Sequence, residues 1–163
     1  MSRKLTITTK TPEQTRSLGR KLGEIVIPKD LICLYGNLGA GKTCFTQGIA
    51  HGLGIAQDEY VRSSTFVLLN EYKGGRIPLY HFDFFRIENE EEIFDTGFEE
   101  YVYHDGITVI EWADKFPEIL PIEKLDIEFD ITGLTERNIL ISLKCHDKRY
   151  DELFSSLQES IPS

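Results

Sequence analysis

The chain has 163 residues, of which 40% are hydrophobic and 28% charged, with a formal net charge of −9. That length and balance predict one soluble globular domain over residues 1–163 with a single sizeable core. Nucleic-acid affinity is dominated by cationic contacts to phosphates, so an acidic chain without a dense Lys/Arg cluster is excluded as an independent strong binder of RNA or DNA. The three cysteines, Cys33, Cys44 and Cys145, are odd in number and match no zinc or redox spacing, which predicts reduced, partly buried thiols. MSRKLTITTK has no apolar signal region and no run approaches the length of a membrane span. The expected location is the cytoplasm, with no membrane partner.

In chain order, KLTITT alternates as a strand does. In TPEQTRSLGRKLGEIVI, Thr11 is placed as an N-cap, Pro12 at the first helical position and Gln14 to complete a capping box. Leu18, Leu22 and Ile25 then share one helical face. Leu31–Tyr35 reads as a buried strand. GNLGAGKTCF follows, and Thr43–Leu53 continues as a helix ending at Gly54.

Further strands are expected at Thr65–Tyr72, Arg76–Phe84, Gly106–Glu111, Lys124–Ile131 and Asn138–Lys144, with Gly74 and Gly75 as a hairpin turn between the first two. A short acidic helix fits Asn89–Asp95. From Asp147 onward, Tyr150, Leu153, Phe154, Leu157 and Ile161 fall at helical spacing. These elements predict an α/β fold like that of P-loop NTPases. Three layers are expected, with a mixed parallel/antiparallel sheet and helices on both faces.

Gly36, Gly41, Lys42 and Thr43 occupy the fixed places of G-x-x-x-x-G-K-[ST], between a buried strand and a helix. Small residues let this backbone curl so that N–H groups face phosphate oxygens, and the helix N-terminus adds its positive dipole end. Gly36, Asn37, Leu38, Gly39, Ala40, Gly41, Lys42, Thr43 and Cys44 are therefore the expected nucleotide-binding segment. Lys42 is placed to reach the β- and γ-phosphates and Thr43 to ligate Mg²⁺, which makes a nucleotide and Mg²⁺ the expected ligands.

Such a loop needs an acidic residue near the metal. Glu111 ends the apolar run ITVIE, and Asp83 ends LYHFD, where it shares a face with His81. Both are candidates for the metal shell, and Asp83 also for orienting water; each is alternatively a surface carboxylate at a strand end. His81 is either an orienting group or a hydrogen-bonded core histidine. Trp112 is either packing or a contact to nucleotide. ENEEE (Glu88–Glu92) reads as a solvated helix N-terminus before a docking site. The tail helix reads as a cover for its own sheet before a partner surface.

The ordered motifs resemble the bacterial TsaE family, small ATPases of tRNA threonylcarbamoyladenosine biosynthesis, over nearly the whole chain. The resemblance rests on the T-P-E-Q-T…L-G helix, GNLGAGKT, VRSSTFVLLNEY (Val61–Tyr72), LYHFDFFR (Leu79–Arg86) and IEW (Ile110–Trp112). It implies that the nucleotide is ATP, and a P-loop ATPase working with two partners, of the TsaB and TsaD types, to threonylcarbamoylate adenosine 37 of tRNA. The tRNA would be reached through those partners. The resemblance also implies nucleotide and Mg²⁺ roles for Lys42 and Thr43, a switch role for Thr65, and catalytic or metal roles for Asp83 and Glu111 beside Trp112. Asn37, Ser64 and Phe85 depart from the family's usual Asp, Pro and Tyr.

No arginine finger is evident; Arg62 and Arg86 are candidates better suited to surface or ion-pair roles. Slow hydrolysis by the isolated chain follows. Two alternatives stand beside this reading. A small-molecule kinase would want an Arg-rich lid, whereas the eight arginines are scattered. A nucleotide-binding module would need no hydrolysis. A GTPase is disfavoured because N-K-x-D is absent.

Overall fold

The computed structural model describes residues 2–56 and 68–162. In chain order it contains β1 (Arg3–Thr9), α1 (Pro12–Ile25), β2 (Leu31–Tyr35), α2 (Lys42–Gly52), β3 (Leu69–Tyr72) and β4 (Leu79–Asp83). Then come α3 (Glu90–Phe94), α4 (Phe98–Val102), β5 (Ile107–Glu111), β6 (Leu125–Ile131), β7 (Arg137–Leu143) and α5 (Lys148–Ser160). Two 3-10 turns, Ala113–Lys115 and Pro117–Ile119, carry the chain from β5 toward β6.

The strands form one sheet in the order β1-β7-β6-β2-β5-β4-β3. Its centre is parallel: β2 pairs with both β6 and β5, and β5 pairs with β4. The antiparallel pairings lie toward the edges, at β3–β4, β6–β7 and β7–β1. Parallel strands covered on both faces need continuous apolar runs, which LICLY supplies. Side chains alternate across the sheet. Ile32 and Leu34 enter the core shared with α1, α2 and α5, and Leu31 and Cys33 enter the core shared with α3 and α4. Burial pushes the Cys33 thiol far up, so it stays protonated and inert. All three cysteines are free.

The expected α/β architecture, mixed sheet and helices on both faces are observed, and α5 covers its own sheet. Several boundaries differ. β4 begins at Leu79 instead of Arg76, because Arg76 N–H bonds to Leu53 O at 2.7 Å outside the ladder. The expected hairpin between these strands forms, with Gly74 and Gly75 in its connection, but that connection is longer than expected and spans 73–78. The first part of the strand expected at Thr65–Tyr72 lies outside the described residues. Helix α4 was not anticipated; it is one turn of FEEYV launched from Gly97. Thr11 caps α1 as expected, accepting from Gln14 N–H at 3.2 Å. Gln14 Oε1 in return accepts the N–H of Lys10, one residue outside the capping-box position, at 2.7 Å.

Helices α1 and α2 meet backbone to backbone. A Cβ added at Gly19 or Gly23 would lie 2.2 Å from the carbonyl oxygen of Phe45 or Ile49. One added at Gly48 or Gly52 would lie 2.0 or 2.2 Å from that of Arg16 or Arg20. Glycine spaced four apart on both helices thus removes side chains from the shared face. Just beyond the C-terminal end of α1, Arg149 of α5 grips buried Asp30 with two hydrogen bonds, Nε to Oδ1 at 3.0 Å and Nη2 to Oδ2. Tyr150 Oη accepts the N–H of Leu31 at 2.8 Å, tying α5 to the start of β2.

Because the Gly48 contact is with backbone atoms, which cannot rotate aside, Gly48→Ala should destabilise the protein by about 3 kcal/mol. That corresponds to a fall in melting temperature of roughly 10 °C for a chain of this size. Thermal denaturation checks it; an unchanged melting temperature would mean the two helices do not pack this closely.

Candidate functional site

The loop Gly36–Gly41 leaves the C-terminal end of β2 and enters α2, the position where open parallel sheets receive ligands. Gly41 has φ of 109°, left-handed backbone that a β-carbon disfavours, and it starts α2 without a side-chain cap. The first-turn N–H groups of α2 are thus left for a ligand. Gly36 passes so near β6 that an added Cβ would lie 2.8 Å from Phe129 O. Ala40 N–H closes the turn onto Asn37 O at 3.1 Å. Asn37, Leu38 and Gly39 face solvent.

Lys42 is only 5% exposed. Its ammonium donates to Gly36 O and, at 3.3 Å, to Asn37 O. It also lies 4.0 Å from the centroid of the Trp112 ring, a cation–π contact. Burial lowers its pKa; Glu111, Asp83 and Asp114 oppose that effect by attraction. Thr43 follows, half-buried, on the first turn of α2. The Cys44 thiol turns the other way, donating to Pro12 O at 3.1 Å, so that residue offers a ligand only its backbone.

The carboxylates arrive from neighbouring strands. Asp83 of β4 sits opposite Glu111 of β5, and Glu111 opposite Leu34 of β2, just before the loop. Asp83 and Glu111 are 8% and 3% exposed. His81 Nε2 meets Glu111 Oε2 at 2.6 Å, while His81 Nδ1 is buried without a partner among the described residues. Asp83 Oδ1 accepts the N–H of Phe85 at 2.9 Å. Desolvation raises the Asp83 pKa, against the lowering effect of that N–H; Glu111 adds to the rise, and His81 and Lys42 offset part of it.

Trp112 holds φ of 58°, unusual for a bulky residue, and packs on Phe85 with ring centroids 4.9 Å apart. The phenyl ring of Phe85 fills this contact without the hydroxyl a tyrosine would carry.

Lys42, Thr43, Asp83, Glu111 and Trp112 therefore stand where the sheet's parallel strands end beside α2. Thr65, the expected switch residue, lies outside the described residues. Among the described residues no three His, Cys, Asp or Glu side chains are grouped to hold a metal alone. The available donors are one hydroxyl and two carboxylates. That hard-oxygen set suits Mg²⁺ shared with phosphates and water better than an all-protein cage. Local sequence pattern gave no sign of Arg137, which bonds the loop carbonyls of Gly39 and Ala40 from β7.

A raised carboxyl pKa in the fold means that ionised Asp83 costs stability. The penalty is absent below the ordinary carboxylate range, near about pH 4, and grows as pH rises through the folded pKa. Asp83→Asn should therefore raise the melting temperature of the nucleotide-free protein at pH 7, and the gain should vanish toward pH 3–4. Melting curves across that range check the sign; an Asn variant less stable at pH 7 would contradict it.

The family model described as "Threonylcarbamoyl adenosine biosynthesis protein TsaE" matches residues 9–139. A tRNA threonylcarbamoyladenosine biosynthesis protein TsaE from Bacillus subtilis is 40% identical over 149 residues, covering 91% of this chain and 90% of that protein. A protein of the same description from Treponema pallidum is 36% identical over 133 residues, covering 82% and 96%. The crystal structure of Bacillus subtilis YdiB superposes with a TM-score of 0.80 at 33% identity, covering 98% of this chain and 97% of that one. With most of its length matched by the family model and by these relatives, the chain belongs to the TsaE family.

Proposed function

We propose that the protein is a Mg²⁺-dependent ATPase of tRNA threonylcarbamoyladenosine biosynthesis. It acts with partners of the TsaB and TsaD types in threonylcarbamoylation of adenosine 37. The pathway follows from family membership. The single observation that carries the chemistry is the buried cluster of Lys42, Asp83 and Glu111 at the mouth of the glycine loop. A lysine ammonium beside free helix-terminal amides suits a phosphate chain, and two carboxylates at adjoining strand ends suit a divalent cation and a water.

In this reading the loop amides and Lys42 hold the phosphates of ATP. Thr43 and Glu111, with Asp83 near, would hold Mg²⁺, which when bound neutralises charge on the β- and γ-phosphates. His81 fixes one oxygen of Glu111. Asp83 orients the attacking water from its place opposite Glu111. Trp112 covers Lys42 and borders the nucleotide. Thr65 senses the γ-phosphate.

Hydrolysis by the isolated chain should be slow, because Lys42 must first exchange its bonds to Gly36 O and Asn37 O for phosphate oxygens. Phosphate release from Mg-ATP, measured alone and with the two partners, tests this, with Lys42→Ala as the blank. The expected result is weak release alone, stimulated at least about tenfold by the partners, and none from the blank. Equal release from wild type and Lys42→Ala would remove the loop from the chemistry. Binding without stimulated release would favour a nucleotide-sensing module.

A further inference from the structure

Arg137 opens β7, and its backbone is paired on both sides, with Thr9 of β1 and Ile131 of β6. From that fixed base the side chain reaches the phosphate loop. Nε donates to Ala40 O at 3.0 Å and Nη2 to Gly39 O at 3.0 Å. Nη1 turns back to the β6–β7 hairpin, donating to Gly133 O at 3.2 Å and Glu136 O at 2.7 Å. One guanidinium thus joins two consecutive loop peptides to a hairpin, and all four acceptors are backbone carbonyls.

We propose that Arg137 is a positioning residue of the phosphate loop. It sets the direction of the loop's amides by holding their carbonyls, and it does not touch phosphate itself. A trans peptide is planar, with C=O and N–H pointing opposite ways. Drawing Gly39 O and Ala40 O toward the guanidinium turns the N–H of Ala40 and of Gly41 to the other side. The Ala40 N–H there closes the turn onto Asn37 O. The Gly41 N–H is left facing away from Arg137, on the side available to an anion.

Preorganised donors cost no reorganisation when a ligand arrives, so this clamp favours every phosphate the loop holds. The geometry demands a fork: Nε and Nη2 span adjacent loop carbonyls while Nη1 reaches two hairpin carbonyls, four bonds that the three donors of a single ammonium cannot supply. The charge is engaged by carbonyl oxygens of the loop and the hairpin. A direct phosphate contact is therefore unnecessary to explain the residue. The consequence for affinity rests on the nucleotide reading above, whereas the consequence for loop order does not.

The test uses Arg137→Lys, which keeps charge and stem, and Arg137→Met, which keeps the stem alone. In nucleotide-free protein, hydrogen exchange of the peptide spanning residues 36–43 should accelerate at least about fivefold in both variants, with β2 and β5 unchanged. Unchanged exchange in the loop would overturn the proposal. So would equal acceleration throughout β2 and β5, which would make Arg137 a general stabiliser.

Calorimetric titration should then show Kd for Mg-ATP and for Mg-ADP weakened by the same factor, about 10- to 100-fold, in both variants. Retention of wild-type affinity by Arg137→Lys would assign the effect to charge and overturn the clamp. A loss confined to ATP would place Arg137 on the γ-phosphate and overturn it too. If wild type binds neither nucleotide, the functional reading fails and the exchange result alone decides the positioning role.

Discussion

A buried charge must be paired, and the site depends on that constraint. Lys42, Asp83, Glu111 and His81 are each under a tenth exposed and come from three separate elements. Leaving one such charge unpaired costs on the order of 3–5 kcal/mol, against about 5–15 kcal/mol for the stability of a whole domain. The cluster is tolerated because its members compensate one another. Glu111 and Asp83 sustain the ammonium that burial disfavours, and Lys42 and His81 offset part of the rise at Asp83. The compensation is incomplete, since the Asp83 carboxyl remains raised and His81 Nδ1 remains unpaired among the described residues. Residual tension of this kind is expected where a ligand with its own charges completes the set.

The fold serves the cluster by fixing where strands end. Parallel pairing places Leu34, Glu111 and Asp83 in one row across β2, β5 and β4, so the loop leaves the sheet beside both carboxylates. The loop is held on three sides. Glycine-to-backbone contacts set α2 against α1, the Phe129 carbonyl borders Gly36, and Arg137 holds Gly39 and Ala40. Each restraint comes from a different element. Loop shape is therefore a property of the packed domain and not of the glycine motif alone.

What sequence made legible was local. The run LICLY, the glycine loop and the following helix form one continuous signal, and their order is the one observed. Asp83 and Glu111 stand out as candidates because each ends an apolar or alternating run, and strand ends are where open parallel sheets generally receive ligands. The short acidic helix and the tail helix form where the pattern places them, and the structure adds that Asn89 and Asp147 cap them. The hidden features depend on distant partners. Gly19 and Gly23 become meaningful only against Gly48 and Gly52, because the contact is between two helices. Arg137 is one of several scattered arginines until β7 is laid beside the loop. Helix α4 is a single turn, too short for periodicity to reveal, and the β3–β4 connection is lengthened by a bond from Arg76 to Leu53. The cover that Trp112 places over Lys42 likewise joins residues seventy positions apart.

The central claim is that Lys42, beneath Trp112, marks the seat of the nucleotide's phosphates. The chain has one tryptophan, and it lies 4.0 Å from the Lys42 ammonium, so its emission reports directly on that ammonium's surroundings. The most direct measurement is Trp112 fluorescence titrated with Mg-ATP in wild type and in Lys42→Ala. The account predicts a saturable change in wild type that is abolished or strongly weakened in the variant. A saturable change of the same midpoint in both proteins, or none in wild type at millimolar nucleotide, would contradict it.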